Sequence, residues 1–142
     1  MISPEELTKS RILVDTDVVS YVFKKDTRAD FFYPYMLHRR LGISFMTVAE
    51  LYFGAYKNSW GANRILQLEN AIKSYVLLPY DYTLCQHWAR IRTHCENVGR
   101  MIEHPDIWIA ASALLYDCAL LTNNGKHFEH IPLLVVISPG LS

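Results

Sequence analysis

Three carboxylates stand at corresponding places in this chain although they are far apart in sequence. Asp15 follows the apolar run RILV, Glu50 lies one turn into a helix predicted after GISFM, and Asp106 lies in the first turn of the predicted helix PDIWIAASALLY. In an open α/β sheet, the carboxyl ends of strands and the adjacent helix starts converge on one crevice. Acids gathered there repel one another unless a divalent cation lies among them. The pattern therefore predicts a magnesium or manganese site and phosphodiester chemistry.

Each of these acids also has a local structural explanation. Asp15 fits an Asx turn after a strand, and Asp17 is expected to cap the following helix, with support of a metal ligand as the lesser alternative. Thr47 and Glu50 match a capping box, and the helix dipole favours an acid such as Asp106 in a first turn. These explanations do not account for three acids at equivalent positions of three β–α units, which favours a shared site.

A fourth polar position at the same sheet edge is Asn124, in LLTNNGKHF. An Asn-Gly turn explains it locally, but its amide could also hold a water molecule bound to the metal. Arg100, Lys126 and His127 are near enough in sequence to these positions to meet phosphate charge. The alternative for each is a solvated surface charge.

Short apolar strands alternate with helices along the chain. The predicted strands are RILV, GISF, VLLP, ALLT and LLVVI, and a short leading helix is expected from Ser3, Pro4 and Glu6. Asp81 is expected to cap a helix that ends at Gly99. This alternation predicts an α/β fold, a three-layer helix–sheet–helix sandwich with a central, mostly parallel sheet of four to five strands.

Length and composition limit the class of protein. The 142 residues predict a single domain, with residues 1–10 as a short N-terminal extension. Basic and acidic residues are equal at 14 each, which argues against a nonspecific nucleic-acid coat protein. The three cysteines form no CxxC pair and are expected to be reduced thiols. The polar start of the chain and the short apolar helices predict a cytoplasmic protein without a membrane span.

Five segments in order carry a family resemblance. They are ILVDTDVVS, ISFMTVAELYFGA, LPYD, GRMIEHPDIWIAASAL and LLTNNGKHFEHIPLLVV. The chain resembles the PIN-domain ribonucleases and, among them, the VapC-type toxins of bacterial toxin–antitoxin pairs. The resemblance matches Asp15, Glu50 and Asp106 to the family's metal-site acids, and Asn124 to a fourth position that is often Asp. Thr122 matches the hydroxyl residue that commonly precedes that position.

The resemblance implies a function. The expected activity is an endoribonuclease that requires Mg²⁺, for which Mn²⁺ substitutes, and that leaves 3′-hydroxyl and 5′-phosphate ends. Asp15 and Asp106 would be direct ligands, and Glu50 would be a ligand or would orient the attacking water. Asp17 stands where the family usually has Asn, and the neutral Asn124 favours one tightly bound ion.

Partners follow from the same resemblance. The substrate would be RNA, and a small antitoxin would neutralise the toxin, which would commonly form a homodimer. Two aromatic stretches are candidate contact surfaces, with core packing as the alternative: Phe31, Phe32, Tyr33 and Tyr35, and the helix around Tyr52 and Phe53.

Two other functions compete. VDTDVV also fits the aspartyl-nucleophile strand of a haloacid-dehalogenase-like phosphatase, but the acidic pair that such enzymes need after LLTN is missing from the remaining residues. A catalytically inactive PIN-like binding module is the other alternative, and Asn124 and the zero net charge favour it. Against it, unneutralised acids gathered at one place lower stability.

Overall fold

Strands and helices alternate through residues 11–141, which are the residues that the computed structural model describes. The leading helix expected from Ser3 to Glu6 lies outside this range. The strands are β1 Arg11–Val14, β2 Arg40–Ser44, β3 Val76–Leu78, β4 Ala119–Leu121 and β5 Val136–Ile137. The helices are α1 Thr16–Lys24, α2 Tyr33–Met36, α3 Phe45–Lys57, α4 Ala62–Lys73, α5 Tyr82–Val98, α6 His104–Leu115 and α7 Gly125–Phe128, with a 3₁₀ turn at Thr27–Phe31.

The five strands form one parallel sheet in the order β3-β2-β1-β4-β5. The chain builds outward from β1 to β3 on one side and then returns to add β4 and β5 on the other. Val14 pairs with Leu121 at the end of the register between β1 and β4, and the Asp15 N–H donates to the Leu121 carbonyl at 2.9 Å. The strand order thus reverses between β1 and β4, where open α/β sheets form a ligand crevice.

Both faces of the sheet are covered by helices. Ile12 and Val14 of β1 point to a core shared with α1, α3 and α4, whereas Leu13 points to a second core shared with α5 and α6. The central strands are therefore apolar on both faces, as expected for a parallel sheet between two helical layers. The predicted three-layer α/β sandwich is confirmed.

Several element boundaries differ from the predictions. The predicted strand LLVVI is only two residues long, because Leu133 adopts a left-handed backbone (φ 68°) and is 94% exposed just before it. The segment around Pro34 is a 3₁₀ turn followed by the short α2, since proline has no amide hydrogen for a longer helix. The predicted ends of α5 are correct: Asp81 accepts from the Leu84 N–H at 2.8 Å, and Gly99 has φ 68°.

Two predictions about composition can also be compared with the structure. Cys85, Cys95 and Cys118 are thiols outside any disulfide, and the last two are buried. Across residues 11–141, no helix combines the length and the apolar character needed to cross a membrane.

Candidate active site

Asp15 is a buried acid that is held by hydrogen bonds at both carboxylate oxygens. It follows β1 directly, serves as the N-cap of α1 through the Thr16 N–H at 2.8 Å, and is only 4% exposed. Its other oxygen accepts a hydrogen bond from the Thr122 hydroxyl at 2.7 Å. Burial raises the pKa of Asp15 to about 8, with repulsion from Asp17 adding to the shift.

Asp17 lies in the first turn of α1 and faces the same crevice. The prediction that Asp17 caps this helix is wrong, because Asp15 occupies the cap position. The Asp17 carboxylate instead accepts from the N–H groups of Val18 at 2.7 Å and Asn123 at 3.2 Å, so it joins α1 to the segment after β4. Burial raises the pKa of Asp17 to about 6 despite these hydrogen bonds.

Glu50 extends from α3 towards Thr16 at the start of α1. The capping-box interpretation is wrong, because Ser44 caps α3 through the Met46 N–H at 3.0 Å. Thr47 is instead buried inside the helix, and its hydroxyl lies 2.9 Å from that of Thr16. The Thr16 hydroxyl donates to Glu50 Oε1 at 2.7 Å. Burial raises the pKa of Glu50, and the charges of Asp106 and Glu103 raise it further.

Asp106 lies in the first turn of α6, as predicted, and His127 lies beside it. His127 Nδ1 is 3.3 Å from Asp106 Oδ2. Burial raises the pKa of Asp106, while the contact with His127 opposes that shift. Glu103, at the N-cap position of α6, faces the same cleft and was not predicted as a site residue. Its position one turn before Asp106 was the available signal in the sequence.

Asn124 follows β4 and immediately precedes α7. Its backbone N–H donates to the Thr122 hydroxyl at 3.0 Å, the same hydroxyl that holds Asp15. Of the three side chains predicted to meet phosphate, His127 lines the cleft with Asn124. Arg100 instead lies 3.9 Å from Glu129 in an exposed ion pair.

All four predicted site residues line one cleft of about 480 Å³ at the carboxyl edge of the sheet. The acids in its wall are Asp15, Asp17, Glu50, Glu103 and Asp106. The structure therefore brings together side chains from α1, α3, α6 and the segment after β4, as the strand-end argument predicts.

The chemistry of this wall fits a hard divalent cation. Carboxylate oxygens are the ligands that Mg²⁺ and Mn²⁺ prefer. Burial is the main cause of the raised pKa values of Asp15 and Asp17, and repulsion from neighbouring acids adds to it. A cation would offset both by stabilising the charged carboxylates. In residues 11–141, no three His, Cys, Asp or Glu side chains already form a ligand set for one ion. Mg²⁺ usually keeps several water ligands and is held by one or two carboxylates, so this site does not require a set of three.

Comparison with known proteins identifies the family. A family model described as PIN domain matches residues 12–133. The chain belongs to the PIN domain family. The predicted resemblance is thereby confirmed, and the phosphatase alternative is set aside because the same residues match the PIN model.

Some of the relatives and solved structures that are similar to this PIN domain carry the name VapC or VapBC. It is 29% identical to Ribonuclease VapC2 of Haemophilus influenzae over 121 residues, which cover 85% of this chain and 92% of the relative. It is 31% identical to the tRNA(fMet)-specific endonuclease VapC of Salmonella typhimurium over 66% of this chain and 70% of the relative. A chain in the crystal structure of DNA-bound VapBC from Salmonella typhimurium aligns with TM-score 0.79 and 26% identity, covering 90% of this PIN domain and 97% of that chain.

Proposed function

We propose that this PIN domain is a divalent-cation-dependent endoribonuclease and the toxin of a toxin–antitoxin pair. Two kinds of observation support the proposal. Its relatives are named as ribonucleases and as a tRNA(fMet)-specific endonuclease. The observation that carries it is the cleft at the strand-order reversal, where Asp15, Glu50, Asp106 and Asn124 meet.

Each side chain has a role in this proposal. Asp15 and Asp106 hold the cation, Mg²⁺ with Mn²⁺ as a substitute, and Glu50 holds it or orients the attacking water. Asn124 holds a water molecule through its amide. When bound, the cation supplies charge neutralisation at the scissile phosphate and activation of water. Thr122 fixes the carboxylate plane of Asp15, since it donates to one of its oxygens.

The decisive experiment is cleavage of RNA by the purified chain and by Asp15→Asn. This substitution keeps the size of the side chain and removes its charge, so we expect cleavage to fall at least 100-fold while the circular dichroism spectrum is unchanged. Cleavage by the unmodified chain should require Mg²⁺ or Mn²⁺ and stop on chelation. Asp30→Asn, a change at an exposed aspartate of the 3₁₀ turn, is the matched control and should retain full activity.

Two outcomes would contradict the proposal. Undiminished cleavage by Asp15→Asn would show that this acid does not hold the cation. No cleavage of any RNA by the folded, unmodified chain with either cation would favour the inactive binding module.

We also propose that a small antitoxin neutralises this chain and that the free chain is a homodimer. Solved VapBC complexes with the same fold support the antitoxin. Phe53 on α3 is 66% exposed and Tyr56 is 64% exposed, which fits a partner contact, whereas Phe32 and Tyr35 of the other predicted surface belong to the core. Co-purification with the product of the adjacent reading frame, followed by light scattering of the free chain, tests both partners.

A further inference from the structure

The cleft continues beyond the acids as a groove between α1 and α3. Asp17, Ser20, Tyr21 and Lys24 line it from α1. Their spacing of three, four and seven residues places them on one face of the helix. Seven residues of helix extend about 10 Å, so Lys24 lies roughly two helical turns from the acids. The groove is therefore long enough to hold more than the reacting phosphate.

Aromatic rings form the far end of this groove. Trp60 stacks on Phe23 with 5.7 Å between ring centroids and 22° between planes, and both rings line the cleft. The guanidinium of Arg64 lies 3.9 Å from the centroid of the Trp60 ring. Gly54 also lines the groove, and a Cβ at this position would meet no atom within 4 Å. The absence of a side chain at Gly54 leaves open space next to the rings.

Charge changes sign along the groove. The acids occupy one end, and the cationic side chains of Lys24 and Arg64 accompany the aromatic rings at the other. An RNA strand alternates negative phosphates with flat bases. Surfaces that bind single strands combine aromatic rings for the bases with positive charge for the backbone. The acids alone would repel phosphates. The metal ion proposed among them would attract the RNA strand at this end, and the side chains of Lys24 and Arg64 would attract it at the far end.

We propose that Trp60 and Phe23 form a stacking site for an unpaired base at the far end of the groove from the scissile phosphate, with Lys24 contacting a phosphate near that base. This inference rests on the proposed nuclease function and adds an RNA-contacting site outside the acids. Arg64 is exposed, so its guanidinium can leave the ring face when a base takes its place. Duplex RNA does not fit, because its bases are already stacked and paired.

Binding of a short oligouridylate tests the stacking site. All variants carry Asp15→Asn so that the RNA stays intact, and binding is followed by fluorescence anisotropy of a labelled strand. Trp60→Ala should weaken binding about tenfold, and Trp60→Phe should retain most of the affinity because it keeps an aromatic face. An abasic strand of equal length should bind weakly and should not respond to either substitution. Melting temperatures identify any variant that fails to fold.

A second variant tests the phosphate contact without altering the core. Lys24→Gln should reduce the slope of log Kd against log salt concentration by about 0.7, the value for one phosphate of a single strand. Lys73→Gln is the matched control, since Lys73 is an exposed lysine at the end of α4, outside the groove. It should leave the slope unchanged.

The outcomes separate this inference from the proposed function. Equal affinity of folded Trp60→Ala and its parent for oligouridylate, or an equal loss with the abasic strand, overturns the stacking site even if the unmodified chain cleaves RNA. Trp60-dependent binding without cleavage by the unmodified chain would instead support the stacking site and contradict the nuclease function.

Discussion

At the scale of single residues, Thr122 connects the two halves of the candidate site. Its hydroxyl donates to Asp15 Oδ2 at 2.7 Å and accepts from the Asn124 N–H at 3.0 Å. It is fully buried, so neither interaction is exchanged for water. One hydroxyl therefore sets both the orientation of a proposed ligand and the path of the backbone after β4.

Thr122→Val tests whether the orientation of the Asp15 carboxylate matters for cleavage when the proposed metal ligands themselves are all kept. Valine has nearly the same shape but offers no hydroxyl, so we expect RNA cleavage to fall about 10- to 100-fold, as for other groups that orient metal ligands. The free energy of unfolding should fall by about 1–3 kcal/mol, since buried partners are left unsatisfied. Urea denaturation and initial cleavage rates measure the two effects.

Matched substitutions show whether the loss of the Thr122 hydroxyl causes the expected falls in cleavage and stability. Thr122→Ser restores the hydroxyl and should recover most of the activity. Thr93→Val, on the exposed surface of α5, should change neither quantity by much. Full activity of Thr122→Val would contradict the orienting role.

The residue scale also shows where sequence patterns mislead. The pattern Thr47–Glu50 favoured a capping box, yet both side chains interact with Thr16, more than thirty positions away in the chain. A local motif cannot reveal a hydrogen bond that only tertiary packing creates. Glu103 was missed for a similar reason, because its place in the cleft depends on how α6 meets α3.

At the scale of elements, the short helix α7 holds Asn124 and His127 at the cleft. The Gly125 N–H donates to the Ser138 hydroxyl at 3.1 Å, which fastens this helix to the segment after β5. A Cβ at Gly125 would lie 2.6 Å from the Cβ of Ser138 and from Cδ1 of Leu141. Only glycine allows this close approach.

Gly125→Ala should therefore destabilise the chain and displace the Asn124 segment. We expect a loss of about 1–3 kcal/mol in the free energy of unfolding, the range for overpacked sites, together with reduced RNA cleavage. Urea denaturation provides the measurement. Gly54→Ala, in open space within α3, should instead add about 0.5–1 kcal/mol. If the free energy of unfolding of Gly125→Ala were unchanged, α7 would be able to shift away from Ser138 without a loss of stability.

The sequence predicted an element well where burial determines its pattern of apolar residues. It predicted an element poorly where the backbone of a turn determines the boundary. RILV and ALLT were recognised because a strand covered on both faces must be apolar throughout. LLVVI is equally apolar, but Leu133 lies in a turn with a left-handed backbone, Leu134 and Val135 are irregular, and only Val136 and Ile137 pair with β4. Strand pairing and the backbone of the preceding turn are not encoded in apolar character alone.

At the scale of the whole molecule, charge is balanced in number but separated in space. Acidic and basic residues are equal in count, yet five acids share one cleft wall. The pKa values of Asp15 and Asp17, about 8 and about 6, lie above the ordinary 3.8 of an aspartate. Asp15 and Asp17 therefore hold more protons in the folded chain than in the unfolded chain between about pH 4 and 8. Their contribution to stability falls as pH rises through this range, whereas His130, whose pKa burial lowers, contributes in the opposite direction.

Thermal melts at several pH values test this charge separation. In the presence of chelator, the melting temperature should fall between pH 5 and pH 8 by about 3 °C or more. Asp15→Asn should show a smaller fall, because the group with the largest shift no longer titrates. Mg²⁺ or Mn²⁺ at 100 times its Kd should add about 2.7 kcal/mol to the unmodified chain. A melting temperature that rises from pH 5 to pH 8, or that is unchanged by both cations, would contradict the proposal that these acids repel one another and bind a cation.

The hydrogen bond between Thr122 and Asp15 joins residues 107 positions apart. During translation, Asp15 leaves the ribosome long before β4 has been synthesised, and the first half of the chain cannot complete the centre alone. Long-range contacts of this kind form late because the intervening chain must first be ordered. A nascent chain of this topology therefore cannot assemble the candidate active site until β4 has emerged, however early Asp15 does.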